Sequence, residues 1–338
     1  MILILSEESE VSTQNVIDWL LYLRIPYFRV NETCRVQIDY LTIRNGVLDF
    51  KLSITNPFFS TPFSVFAQEI KGYWYRRGFF LLQMPLILGD NFSELNVIKE
   101  GFNKYLVEEN EKVVDFFHKY FRTIPHLGYF HDNFSCNKIN NLYQAQKENI
   151  LIPDFVITKN KSDVELFLKD NPFCITKGID RNGFHIKHKI SIGNLAKLVT
   201  TSEIKKSSTR FNYSFIQQYI DKKADVRVFY LDGKVFSTAI FSQNDEQTKI
   251  DFRNYNDERP NRIVPFKLPI DEEKKLRKLM KKMKYKTGSI DYVLDKNNNL
   301  YFLEINPIGQ YGFISNKCNL FLDKAICNYF KSKCHAGN

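Results

Sequence analysis

Two carboxylates and an amide stand close together near the end of the chain: Asp291 in SIDYV, and Glu304 and Asn306 in FLEIN. Both segments are otherwise apolar, and a charge carried into an apolar setting is costly unless something pairs with it. Glu304 and Asn306 are two positions apart, so on a strand they leave from one face. A turn in DKNNN, near 296–299, folds the two runs into a hairpin that brings Asp291 opposite that pair. Hard oxygen donors of this kind suit Mg²⁺, which takes a few carboxylates and fills its octahedron with water and phosphate oxygens. A second candidate lies far upstream in YWYRRGFF, where Arg76 and Arg77 sit among aromatics. A guanidinium fork there matches a carboxylate or phosphate, and a salt-bridged or solvated arginine is the plain alternative. Neighbours on a strand point to opposite faces, so at most one of the two faces a given cleft.

The elements that must hold these groups follow from periodicity. Residues 2–5 (ILIL) read as a buried strand, VIDWLLYL as a helix capped by Ser12 or Thr13, and YFRV as a second strand. This β-α-β opening predicts a small α/β domain. LTIRNGVLDFKLSI reads as a hairpin about Asn45-Gly46, and 95–121 as a long helix. From 151 strands follow quickly: FVIT, FCITKG, HIKHKI, FIQQYI, DVRVFYL and KVFSTAIFS. DEEKKLRKLMKKMKY is an amphipathic helix whose basic face reads as solvated surface, and KSKCHAGN as a frayed tail.

At 338 residues the chain is long for one core, and its 43% hydrophobic content excludes disorder for most of it. No apolar run reaches the ~18 residues of a membrane helix. The net charge of +10 fits an anionic partner, and equally a composition rich in Lys and Asn. The basic residues are dispersed and form no recognisable reader motif, which argues against nucleic acid. Six scattered cysteines make no CxxC pair or zinc spacing, and with no secretion signal they read as free thiols in a reducing cytoplasm. His185 and His188, three apart on a presumed strand, face opposite ways and do not share a metal.

The tail FLEINPIGQYG, with the order of the segments before it, resembles the ATP-grasp superfamily, and within it the peptide maturases that make graspetides, the microviridin-like and "grasp-with-spasm" peptides. The likeness runs through most of the chain. It implies mixed α/β and α+β structure: an ATP-grasp fold with an N-terminal α/β, pre-ATP-grasp-like domain (1–125), a central lobe (126–215), a C-terminal lobe with the metal hairpin (216–330) and a tail (331–338). YWYRRG resembles the family's Trp-x-Arg-Arg segment, which implies substrate contact at Arg76 and Arg77. By the same resemblance Lys138, in NKINNLYQAQKENI, and Lys177, in FCITKG, approach the nucleotide phosphates. Gln217, Gln218, Tyr219 and Ile220 of FIQQYI hold adenine, with Gln218 standing where many ATP-grasp enzymes have Glu. Arg227 serves the phosphates, and Arg253 of KIDFRNY corresponds to the arginine of Asp-Trp-Arg, with Phe252 replacing Trp. Asp291, Glu304 and Asn306 are then the metal ligands, for two Mg²⁺ ions.

The resemblance implies an ATP-dependent ligase. It phosphorylates Asp or Glu side chains of a ribosomally made precursor peptide, and Ser, Thr or Lys side chains then close ester or amide rings. The physical reading of the residues agrees. A carboxylate attacks a γ-phosphate only once cations neutralise it, which Lys177, Arg227, Arg253 and Mg²⁺ would do. The acyl phosphate needs no protein nucleophile, and no Ser-His-Asp or Cys-His arrangement is apparent. The expected partner is a precursor peptide with a leader recognised away from the ATP site; a homodimer is compatible. The alternatives are a RimK-like carboxylate–amine ligase adding amino acids to a peptide or protein, and a catalytically dead peptide-binding module.

Overall fold

The computed structural model describes residues 1–58, 61–82, 96–179, 184–186, 190–192 and 195–334. The chain forms two compact units, residues 1–134 with 321–338, and residues 135–320.

The first unit begins with β1 (Ile2–Ser6), whose residues are all buried, followed by α1 (Val11–Tyr22) and β2 (Tyr27–Val30). A long hairpin, β3 (Arg35–Arg44) and β4 (Val47–Thr55), turns through Asn45-Gly46, both at positive φ, and β5 (Phe63–Phe66) extends it. Next come β6 (Gly72–Arg76), α2 (Asn96–Phe121), β7 (His126–Leu127) and α3 (Phe130–Ser135). The β2-β1-β6-β7 sheet is parallel throughout. Parallel strands buried on both faces read as unbroken apolar runs, and ILIL is one. Helix α1 starts one residue after Glu10, so Ser12 and Thr13 lie inside its first turn instead of capping it. The Ser12 hydroxyl is given to the Glu10 carboxylate.

The second unit starts with α4 (Lys138–Lys147), capped by the Asn137 side chain, then β8 (Phe155–Asn160), α5 (Lys161–Asp170) and β9 (Cys174–Lys177). HIKHKI is not one strand. β10 (Phe184–Ile186) and β11 (Ile190–Ile192) pair antiparallel, and His188 lies outside the described residues. β12 (Lys197–Val199), α6 (Thr201–Lys206) and β13 (Arg210–Gln218) complete a sheet of order β12-β9-β13-β8. One face of that sheet packs Ile216, Cys174 and Val156 against Val164, Phe167 and Leu168 of α5. The other turns Phe155, Ile157 and Phe215 into the main core.

A larger antiparallel sheet follows: β14 (Lys222–Leu231), β15 (Lys234–Phe241), β16 (Arg262–Phe266), α7 (Ile270–Lys282), β17 (Thr287–Asp295) and β18 (Leu300–Asn306). Its order is β16-β15-β14-β17-β18. Leu276, Leu279 and Met280 of α7 close the core over Val226, Val228, Ile290 and Tyr292. The chain ends with α8 (Gly312–Cys318) and α9 (Leu322–Cys334). Where the sequence suggests a loose tail from 331, α9 is helical to Cys334, because Ile326, Cys327, Tyr329 and Phe330 bury a stripe that holds its last turn in the first unit.

Candidate active site

Two strand irregularities build a cleft in the second unit. Against β17, the register of β14 shifts between Lys222 and Ala224. An extra residue in one strand changes which face its neighbours share, so Lys222 and Asp225, three apart, project to the same side. Lys222 Nζ donates to both oxygens of Asp225 at 2.8 Å, and Ser242 Oγ donates to Asp225 Oδ2 at 2.6 Å. Burial pushes the Asp225 carboxyl up despite these partners. Two positions on, Arg227 stands opposite Asp291. Its Nη1 lies 2.6 and 2.7 Å from the two Asp291 oxygens, and Nη2 donates to the Gln310 carbonyl at 3.0 Å.

The second irregularity sits at the expected metal hairpin. Asp291 pairs with Glu304, but Tyr292 pairs with Phe302, leaving Leu303 as the extra residue. On a regular strand Glu304 would share the face of Phe302, which is in the core. The bulge turns Glu304 to the cleft beside Asp291. Asn306 stands opposite Ser289, and its Oδ1 accepts from the Ile308 N–H at 3.1 Å, which closes the NPIG turn. A Cβ on Gly309 would collide with the Ser289 side chain, so glycine lets this turn lie on β17. Ser289 Oγ joins Arg227 in donating to Gln310, and the two fix the exit of the chain.

Glu304 is the electrostatic centre. Lys138 Nζ lies 3.5 Å from its Oε2 and Arg253 Nη1 lies 3.7 Å from its Oε1. Burial pushes Glu304 up, but Lys177, Lys138, Arg253 and Arg227 outweigh it and hold the carboxyl below its ordinary value. Lys138 also donates to the Gly178 carbonyl at 2.7 Å. The ammoniums of Lys138 and Lys177 lie 5.9 and 5.7 Å from the buried Phe215 ring. Burial pushes Lys177 down to about 8, against the pull of Glu304, and Lys138 and Arg253 push the same way as burial. Arg253 is gripped by Asp251, with Nη2 2.7 Å from Oδ2 and Nε 2.9 Å from Oδ1. Asp251 Oδ2 also accepts from the Ala196 N–H at 3.0 Å. Burial raises Asp251, and its bonds to Arg253 more than reverse that, leaving it below its ordinary value.

These groups border one partly open cleft. Of the residues singled out from the sequence, Lys177, Gln217, Gln218, Tyr219, Ile220, Arg253, Asp291 and Glu304 line it. Gln217 is fully buried there, and neither amide atom has a hydrogen-bond partner among the described residues. A buried amide left unpaired costs about 1–3 kcal/mol. The Gln218 and Tyr219 N–H groups are spent within the protein, on the Asp154 and Phe173 carbonyls at 2.8 Å. Gln218 Oε1 accepts from the Asp154 N–H at 3.3 Å.

Arg76 and Arg77 belong to the first unit. Arg76 is buried, with Nη2 2.9 Å from Glu10 Oε1 and 3.2 Å from Ser12 Oγ. Arg77 leaves the strand at φ 70° and bridges to Ser6. Sequence reasoning missed Lys222, Asp225 and Asp251. The signal was faint: Asp225 shares its strand with Lys222, Lys223 and Arg227, so it does not stand out as a lone acid in an apolar run.

Among the described residues no three His, Cys, Asp or Glu side chains group to hold a metal. The set remains two carboxylates and an amide oxygen. It fits a hard cation, because Glu304 is kept ionised and all three donors are oxygens.

The comparisons with known proteins bear on the fold. Residues 189–330 match the model of the RimK-like ATP-grasp domain. No curated protein matches the chain by sequence. Among solved structures the chain is similar to a RiPP-associated ATP-grasp ligase of Chryseobacterium gregarium, in complex with ADP and a leader and core peptide. Identity is 18%, the TM-score is 0.74, and all of this chain and 97% of that one are covered. It is also similar to the macrocyclase MdnC of Microcystis aeruginosa MRC, bound with the precursor peptide MdnA, at 21% identity and TM-score 0.73 over 98% and 99% of the two chains. The ATP-grasp ligase PsnB, complexed with minimal precursor, Mg and ADP, matches at 11% identity and TM-score 0.68 over 98% and 97%. The fold is therefore ATP-grasp. It extends over the whole chain, as in these ligases.

Proposed function

We propose that this chain is an ATP-dependent peptide ligase that phosphorylates Asp or Glu side chains of a ribosomally made precursor peptide. Ser, Thr or Lys side chains then displace phosphate to form ester or amide macrocycles. The observation that carries the proposal is the convergence of Lys177, Lys138, Arg253 and Arg227 on Glu304, in a cleft whose far wall holds the unpaired Gln217 amide.

In this reading the lobes 126–215 and 216–330 hold ATP between them, after an N-terminal domain of 1–125. The base lies along Gln217–Ile220, with the Gln217 amide as its polar contact. Lys177, Lys138 and Arg253 hold the phosphates, and Arg227 fixes Asp291 in place. Asp291, Glu304 and Asn306 would hold Mg²⁺, as two ions, with Asp291 shared between metal and Arg227. Bound Mg²⁺ supplies neutralisation of phosphate charge and polarisation of the transferring phosphoryl group. Asp251 keeps the Arg253 guanidinium directed toward Glu304 and the cleft. Preorganised cations of this sort stabilise charge developing on a phosphoryl group without reorganising during the step. Of the two arginines expected on the substrate side, Arg77 serves it, because Arg76 is held in the buried Glu10 ion pair. The leader is recognised away from the ATP site, and a cytoplasmic location and a homodimer complete the proposal.

The RimK-like match over 189–330 favours a second reading, addition of an amino acid to a peptide or protein. Both are tested by incubating the protein with ATP, Mg²⁺ and the peptide encoded beside it, followed by mass spectrometry. Loss of one water per ring, matched by ADP release, is the expected result. A mass gain of one amino-acid residue supports the second reading. ATP binding without any peptide change or ADP release would sink both.

A further inference from the structure

The second unit has another cavity, of about 290 Å³, against the nucleotide cleft. Phe252 and Arg253 belong to the walls of both. Tyr255, Gln310, Phe313 and Lys317 are among the rest of its lining, which includes two cations and no acid. The Arg253 side chain is 40% exposed even while Asp251 grips it, so it presents charge to both spaces. Lys317, on α8, donates to the Tyr255 hydroxyl at 3.2 Å, which places its ammonium at the hydroxyl end of that ring. Among the described residues it makes no ion pair with a carboxylate. An ammonium held by a phenol hydroxyl, in a cavity without an acid, is complementary to an anionic ligand.

We propose that this cavity docks a second acidic side chain of the peptide, near in sequence to the one that reacts. Arg253 presents the reacting carboxylate to the nucleotide, and Lys317 with Tyr255 binds its acidic neighbour. The substrate class is thereby narrowed to segments carrying two carboxylates. The inference rests on the peptide-ligase reading above and adds a specificity determinant to it.

The test uses the full chain loaded with ADP and Mg²⁺. Two fluorescein-labelled peptides of Thr and Gly, one with a single Glu and one with two, are titrated by anisotropy. The doubly acidic peptide should bind about tenfold more tightly, the scale of one added charge pair at a binding surface. Lys317→Glu should erase that difference. A peptide with its second Glu changed to Lys should then bind the Lys317→Glu protein better than the wild type, a swap that a merely structural lysine would not produce. Lys281→Glu, at an exposed site on α7, controls for net charge and should leave the tenfold difference intact. ADP affinity should stay within about twofold in both variants, since neither side chain lines the nucleotide cleft. Equal binding of the two peptides, an equal loss in Lys281→Glu, or failure of the charge swap would overturn the inference. Failure of the wild type to bind ADP would instead bring down the ligase reading.

Discussion

Each unit of this protein buries an arginine against a carboxylate, and the two pairs are put to different use. In the first unit Arg76 meets Glu10, with side chains 5% and 6% exposed and Ser12 closing the group. Glu10 feels Arg76 first and Arg77 more weakly. In the second unit Arg227 grips Asp291 almost as deeply, at 9% and 11%. There the neighbouring Glu304 faces Lys138, Lys177 and Arg253 as well, along an open cleft. A matched buried pair is a structural device that mainly adds a penalty for breaking it. An excess of cations around one acid leaves positive charge for an anion, and that is the asymmetry the proposed site would use.

The sharpest break of the comparison is Glu10→Ala. Removing the carboxylate partner of this buried guanidinium should cost about 3–5 kcal/mol in chemical denaturation. Unchanged stability would mean that the first pair is not structural. Glu304→Gln should do the reverse: the fold is kept, and ATP turnover falls about 10²–10³-fold, the scale of losing one preorganised electrostatic group. Undiminished peptide-dependent ADP release would remove Glu304 from the site. Gly309→Ala should cost about 1–3 kcal/mol through overpacking against Ser289, and should weaken turnover by displacing the turn that Arg227 holds. Thermal melts with an ADP-release assay would show both effects or neither.

Lys177→Ala should weaken ADP binding by about tenfold while leaving melting temperature unchanged, since the lysine's charge is opposed by burial. The smallest effect is a pH dependence of a few-fold. Lys177 is held near 8, so its positive charge is present below that pH and lost above it. ADP affinity should therefore fall as pH rises through about 8, and the Lys177→Ala protein should lack that fall. Glu304, held below its ordinary value, stays ionised across the same window and contributes no slope. Titrations at pH 7 and 9 decide the point.

Much of this was legible in the chain itself. Apolar runs and turn residues marked β1, the Asn45-Gly46 hairpin, α7 and the β17–β18 hairpin, because their periods are local properties. Acids in apolar strands marked Asp291 and Glu304, because burying charge needs a reason. The sequence alone also determined that Glu304 and Asn306 share a face. Only the tertiary structure decided which face that was. It depends on the extra residue Leu303, and a bulge is visible only once the partner strand's register is known. The same holds for Lys222 and Asp225, which a regular strand would set on opposite sides. The partner of Arg76 was likewise undecidable from spacing. Glu10 lies 66 positions away, so that pairing follows from packing between distant segments; Asp251 stands only two residues from Arg253, and what packing adds there is the bond from the Ala196 N–H.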